Sequence, residues 1–471
     1  MILSIFRTKN LRGLLAEIAA QGEDRKLRRS LTALDITLLG LGVMIGTGIF
    51  VLTGIVAAEY AGPGLMLSFV LAAVVCTFVC LAYSELASFI PVAGSSYTYA
   101  YVSLGEIFGW LVGWSLILEY TVGASAVAGG WSAYFTSILA DIGIHLPKML
   151  TTVPAEGGLM NLPAMLIVGV VLFFLLRGIR ESAGANRVLV FIKLGTIFLF
   201  LLLAGPHINP QNWTPFLPYG WSGVSAGTAV LFFSYLGFDS LSTAAEEARN
   251  PGRDMPIGII AALTLTTLLY IAVSAVMTGV VPYPELDTAA PASFVLQKIG
   301  LRLGSAIIGT GAICGLSTVL LVMIYAQTRA FYAMSRDGLI PESLCRVHPV
   351  YRTPYRITLI VGLAVAFITG FTPIHIVAEM CSAGTIFAFL CSCSGLLILR
   401  KRYPDVKRRF VCPAVWLIAP LGFLSCLYIF SQLSAHTLEL FTAWFILGVI
   451  IYFIYGRKHS HLNAVENESA Q

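Results

Sequence analysis

The stretch GVMIGTGIFVLTG, residues 42–54, lies inside a longer apolar run yet carries four glycines, two of them flanking Thr47. A glycine in a helix interior costs about 1 kcal/mol relative to alanine. What that weakness means depends on the solvent around it. Of 471 residues, 57% are hydrophobic and 11% charged, whereas soluble domains carry about 25% charged residues. A chain this long cannot hide so much apolar surface from water, so lipid is the solvent for most of it. The net charge of +5 is no sign of nucleic acid, because its meaning lies in where the charges fall.

A spanning helix needs about 20 mainly apolar residues. Twelve segments qualify: residues 33–58, 64–90, 105–136, 162–178, 185–206, 222–245, 257–282, 303–334, 357–372, 374–399, 413–433 and 438–456. The third and eighth are long enough to tilt or to project beyond the bilayer. With these spans, 25 of the 29 Lys and Arg residues fall on one side, only Lys148, Lys298 and Arg302 on the other, and Lys193 within span 5. By the positive-inside rule the rich side is cytoplasmic. The expected layout is therefore a multi-pass protein of the plasma (inner) membrane with both termini in the cytoplasm. Residues 1–32, charged throughout, read as a cytoplasmic segment and not as a cleaved signal peptide. Residues 457–471 read as a cytoplasmic tail. The nine scattered cysteines form no zinc or CxxC pattern, and neither disulfides, metal nor cofactor are expected.

In hydrocarbon an unpartnered backbone group costs several kcal/mol, so a helix breaks only where it lines an enclosed cavity. MIGTGIF permits such a break in span 1. The free N–H groups at the start of its second half suit a carboxylate, and the last carbonyls of its first half suit an ammonium. A second weak point lies in AVLFFSYLGFDSLSTAAEEARNP, residues 229–251, with Gly237 and Asp239 amid apolar residues. Interrupted helices at matching positions of two halves point to an inverted-repeat transporter. The repeats are expected at 33–206 (spans 1–5) and 222–399 (spans 6–10), with 413–456 holding the last two spans. The alternative for each break is close helix packing on small residues.

These residues resemble the amino acid–polyamine–organocation (APC) superfamily, and within it the bacterial members of the cationic amino acid transporter family. The resemblance rests on DITLLGLGVMIGTGIFVLTG (35–54), PVAGSSYTYAY (91–101), WSLILEY (114–120), FFSYLGFDSLSTAAEEARNPGRDMPIGI (232–259) and STVLLVMIYAQTRAFYAMSRDGLIP (317–341). It implies an all-α, twelve-helix, five-plus-five inverted-repeat fold with helices 1 and 6 broken. It also implies alternating-access transport of amino acids, in many members driven by protons. It places the substrate at the span 1 break (Met44, Ile45, Gly46, Thr47, Gly48), with its carboxylate around Thr47 and Gly48 and its ammonium on carbonyls of Met44, Phe233, Ser234 and Leu236.

Lys193 is the sole basic residue deep in a span, and such groups are functional by default. The resemblance implies a lysine here in proton-coupled members, where sodium-coupled relatives hold an ion. Lys193 either carries the coupled proton or acts as a fixed cation joining spans 1, 5 and 8; a snorkelling lysine is the plain alternative. Glu119, alone in span 3, either contacts the substrate side chain or bonds a neighbouring helix. Asp239 orders the broken span 6 or joins a proton path. Met323 resembles the position where arginine-accepting relatives carry a small residue, so it either restricts side-chain space or merely packs the core. PVAGSSYTY (91–99) is expected to form a structured inside loop or gate element. AEEARNPGRDMP (245–256) is expected to be a charged cytoplasmic loop ending span 6.

No nucleophile–base constellation, metal-spaced histidines or P-loop are present, so an enzyme or ATP-driven pump is not expected. The expected partners are an L-amino acid, a coupled proton and lipid, with no nucleic acid. The expected function is secondary active import of small to medium L-amino acids. An exchanger, or a receptor or channel that binds without coupled transport, is the alternative.

Overall fold

The computed structural model describes residues 6–11, 13, 31–90, 95–178, 183–239, 241, 247–346, 348 and 353–462. Most of the amino-terminal segment, residues 91–94, residues 242–246 and the carboxy-terminal tail from 463 therefore lie outside the described residues. So do Arg12, Arg25, Lys26, Arg28, Arg29, Arg180 and Arg352 of the basic cytoplasmic set.

The described chain is almost wholly helical. The main helices are α1 (Ala33–Met44), α2 (Leu65–Phe89), α3 (Ser95–Ser103), α4 (Glu106–Asp141), α5 (Leu162–Leu176), α6 (Ala183–Ala204) and α7 (Gly220–Leu231). They continue as α8 (Pro251–Val280), α9 (Pro291–Lys298), α10 (Arg302–Arg336), α11 (Tyr355–Phe371), α12 (Ile374–Arg402), α13 (Val415–Ser431) and α14 (Ala435–Ile451). Each of the twelve expected apolar segments contains helix. Among the described residues seven helical stretches are long and apolar enough to cross a membrane, and four more apolar helices are shorter. At 1.5 Å per residue, α4 with 36 residues is about 54 Å long, so the long third segment does exceed the hydrocarbon.

Local chemistry sets the helix starts. Thr32 and Asp35 form a reciprocal capping box at α1, and Asn161 caps α5 ahead of Pro163. Ser434 caps α14, and its hydroxyl also donates to the buried carboxylate of Glu379 on α12. Pro251 stands in the first turn of α8, where its missing N–H costs nothing.

Three sequence expectations need correction. Span 7 begins at Pro251 and not at 257, because Asp254 accepts from Asn250 N at 3.0 Å and closes a helical first turn. Residues 251–256 are thus helix and not part of a charged loop. Residues 95–99 of the 91–99 segment are helix and not loop, and all nine α3 residues are buried. A helix, α9, also stands in the 283–302 connection, where none was expected.

α4 packs along α10 and α12, and α8 along α1 and α2. Most of the buried apolar residues form one continuous core. The two interrupted segments lie against each other within it.

Candidate functional site

Helix α1 stops at Met44. Ile45 turns extended (φ −74°, ψ 92°), and the chain resumes as a wide turn over Gly48–Leu52. In the sixth segment α7 ends at Leu231 and a tight turn covers Phe232–Tyr235. Leu236 is then extended (φ −60°, ψ 140°), and Gly237 takes φ +115°, a conformation glycine adopts without penalty. The Asp239 carboxylate accepts from Gly237 N at 3.2 Å.

The two breaks touch. A Cβ built on Gly48 would lie 2.2 Å from Ser234 Oγ and 2.7 Å from Ser234 Cα. One built on Gly237 would lie 2.5 Å from a Val43 methyl. Gly48 of the opening motif therefore permits a close approach of the two broken segments that a side chain at that position would block. Among the described residues, the buried hydroxyls of Thr47 and Ser234 at this meeting point have no hydrogen-bond partner. A buried hydroxyl left so costs about 1–3 kcal/mol, a deficit that a polar ligand removes.

The carbonyls of the breaks are arranged by a residue that sequence reasoning missed. The Tyr270 hydroxyl on α8 lies 2.6 Å from Met44 O and 2.7 Å from Ser234 O. It has one proton, so it donates to one carbonyl at a time. Of the carbonyls assigned to the ammonium, that of Phe233 accepts from Leu236 N at 3.1 Å. A signal for Tyr270 did exist in the sequence: Thr266, Tyr270 and Ser274 stand at i, i+4 and i+8, one polar stripe on an apolar helix. All three are fully buried.

Helix α10 lines the other side. Its Gly315, Val319 and Met323 recur every four residues and so share a face. Gly315 packs on the Lys193 side chain, Val319 on Gly46, and Met323 on Gly123 of α4, where Cys381 of α12 also lies. Lys193, 1% exposed, donates from Nζ to Gly42 O at 2.5 Å. Its ammonium thus sits on a carbonyl of α1 while its stem crosses α10. Glu119 faces α12, where Cys381 Sγ donates to its carbonyl at 3.1 Å and Gly384 packs on its Cβ. Its carboxylate Oε2 is buried with no hydrogen-bond partner among the described residues. The structure thus gathers Met44–Gly48, Phe233, Ser234 and Leu236 into one junction, with Lys193 of α6 against Gly315 of the α10 face and Met323 two turns along that face. Glu119 lies one helical turn from Gly123.

Apolar helices of bilayer length, packed around two interrupted segments that meet in a buried polar junction, have the make-up of a multi-pass membrane transporter. An amino acid permease family model matches residues 31–455. The chain is 46% identical to the branched-chain amino acid permease BcaP of Bacillus subtilis (strain 168), over 98% of this chain and 99% of that protein. It is 44% identical to the methylthioribose transporter of the same organism, again over 98% and 99%. It is 37% identical to cationic amino acid transporter 4 of Homo sapiens, over 80% of this chain and 60% of that one. The chain belongs to the amino acid permease family of the APC superfamily.

Proposed function

We propose that this protein imports small to medium neutral L-amino acids across the plasma membrane by proton-coupled alternating access. It crosses the bilayer twelve times, with both termini in the cytoplasm. Its first ten crossings form two inverted repeats of five. Helix in every expected span, the one-sided basic residues and breaks five spans apart support that topology.

The observation that carries the substrate reading is the junction of Gly48 and Ser234. The unpartnered Thr47 and Ser234 hydroxyls and the start of the second half of span 1 suit a carboxylate. The carbonyls that share the Tyr270 proton suit an ammonium. Such a junction matches the two charged ends of a zwitterion. Met323, Gly123 and Cys381 bound the space for its side chain and favour an uncharged group of moderate size. The name of the 46% identical relative points the same way.

A second reading has one specific support: the relative named for methylthioribose is almost as similar. A thioether sugar lacks both an ammonium and a carboxylate, so the zwitterion reading predicts that it competes poorly. Lys193 is the proposed coupling residue. Its ammonium occupies the place of a fixed cation beside α1, and it holds or yields the coupled proton there.

The test is uptake into proteoliposomes under an imposed pH gradient, acid outside, with leucine, alanine, arginine and methylthioribose as competitors. Uphill, gradient-dependent uptake inhibited by leucine and alanine supports the proposal. Uptake that needs internal amino acid instead identifies an exchanger. Binding without uptake identifies a receptor, and uptake that never exceeds equilibrium identifies a channel.

A further inference from the structure

One buried carboxylate stands apart from the junction. Glu379 on α12 is 4% exposed and lies five residues, about 7.5 Å, inside the start of that helix. Its Oε2 accepts from the hydroxyls of Ser434 and Thr437 at the start of α14, the latter at 2.6 Å, and from Ser434 N at 3.4 Å. Among the described residues no cation lies within ion-pairing distance of it. An ionisable group enclosed by neutral partners in a membrane span is costly and functional by default. Ser434 is exposed, so this carboxylate is one hydroxyl away from water.

A line of hydroxyls leads inward from it. Glu379, Ser382 and Thr385 stand three residues apart on α12. Each such step falls about 60° short of a full turn, so the line winds from the α14 side of α12 round to the α4 side. There Cys381 Sγ donates to Glu119 O, Gly384 packs on the Glu119 Cβ, and the Thr385 hydroxyl reaches the Glu119 carboxyl. Ser382 is the telling member. The hydroxyls of Thr385, Ser392 and Ser394 each donate to the carbonyl four residues back, the usual refuge of a hydroxyl on an apolar helix. Ser382 Oγ is fully buried and has no hydrogen-bond partner among the described residues. Glu119 Oε2 shares that condition, as does Ser115 Oγ one turn away on α4. Such atoms call for a proton or a bridging water.

We propose that Glu379, Ser382 and Thr385 form a relay that carries the coupled proton from outside water to Glu119. This rests on the topology and the proton-coupled reading above. Outside water protonates the Glu379 carboxylate. Glu379 gives that proton to Ser382 Oγ while Ser382 releases its own towards Thr385, directly or over one bridging water. Thr385 likewise takes one proton and releases its own to the Glu119 carboxylate. Both hydroxyls end as they began, Glu379 is again a carboxylate and Glu119 is neutral. Near Glu379 the other titratable groups are Tyr60 and Glu59 on the turn Ala57–Ala61 and His375 one turn outward on α12; His436 and Glu439 of α14 are exposed. Around Glu119 they are Asp239, Tyr83, Tyr120 and Cys381.

The test uses the full chain in proteoliposomes. Glu379→Gln keeps the size and an acceptor for Thr437 but takes no proton at neutral pH, and Ser382→Ala removes one hydroxyl. Accumulation of a mixture of the twenty radiolabelled L-amino acids, driven by acid outside, should fall at least about tenfold in Glu379→Gln and about threefold in Ser382→Ala. Exchange of internal for external amino acid at equal pH, during which the relay need not turn over, and the unfolding temperature should stay unchanged. Undiminished accumulation in either variant overturns the relay. Accumulation and exchange lost together, or a lowered unfolding temperature, makes Glu379 a cap of α14 and also overturns it. If accumulation by the unsubstituted protein ignores the pH gradient, it is the proton-coupled reading that fails.

Discussion

The Tyr270 hydroxyl sits between the Met44 and Ser234 carbonyls, 2.6 and 2.7 Å from them, so one proton on α8 joins the two broken segments. Neither break can move relative to α8 without disturbing that contact. Tyr270→Phe keeps the ring, which packs on Phe69 and Tyr235, and removes only the hydroxyl. The fold should persist. Apparent affinity for the amino acid should fall about three- to tenfold, the effect of one net hydrogen bond. Equilibrium binding in detergent, compared with the unfolding temperature, checks it.

Gly48 and Gly46 are two positions apart and make opposite predictions. A Cβ at Gly48 runs into Ser234 Oγ and Cα at 2.2 and 2.7 Å, whereas one at Gly46 meets a Val319 methyl at an ordinary 3.5 Å. Gly48→Ala must push the two breaks apart and should abolish binding and uptake. Gly46→Ala should retain both within a few-fold, provided its backbone keeps its conformation. Paired uptake assays at matched membrane expression decide the matter, and equal loss in both variants counts against the junction.

Lys193 donates to Gly42 O from a fully enclosed position. Lys193→Met preserves most of the packing against Gly315 but leaves the carbonyl without its ammonium and the site without an exchangeable proton. Uptake driven by a pH gradient should fall at least tenfold, and the residual uptake should no longer depend on external pH. Undiminished pH dependence in Lys193→Met excludes both the proton-carrier and the fixed-cation roles.

The helical regions were legible because span length and hydropathy leave few alternatives in lipid. The first break was legible because glycines in MIGTGIF contradict their surroundings. Tyr270 was not singled out, since a tyrosine in an apolar helix looks like ordinary core and its meaning depends on which carbonyls face it. Nothing local in SSYTYAYVS (95–103) marks a buried helix: its hydroxyls find Glu106 and Tyr83 close by in the chain, but Asp239 and Asp337 far along it. Periodicity carries local structure, and long-range polar pairing stays hidden from it.

Met323 packs at Gly123 beside Cys381 and is 7% exposed. Met323→Ser removes much of the side-chain volume and adds a hydroxyl, which opens room next to Glu119 on the same helix as Gly123. Arginine should then compete for uptake of the neutral substrate where it did not before. A competition profile identical to that of the unsubstituted protein makes Met323 plain core.

Glu85, at the end of α2, is fully buried and receives Arg400 in bidentate fashion, at 2.7 and 2.6 Å. Arg408 lies 3.1 Å from the same carboxylate, and Cys412 N donates to it at 2.7 Å. Arg408 Nε makes no hydrogen bond among the described residues, and its Nη groups donate to the carbonyls of Val406, Leu399 and Tyr403, so Arg408 is the looser partner. Arg400→Met therefore leaves a buried carboxylate held mainly by that looser cation and one N–H. Breaking a buried pair in this way costs about 3–5 kcal/mol. Arg400→Met/Arg408→Met/Glu85→Leu removes all three charges of the cluster, and replacing buried ion pairs by apolar residues is often close to neutral. The single variant should unfold at markedly lower temperature in detergent, and the triple variant should recover most of the loss. A triple variant no more stable than the single one means that the cluster matters through its hydrogen bonds to the 403–412 connection, and not through charge balance.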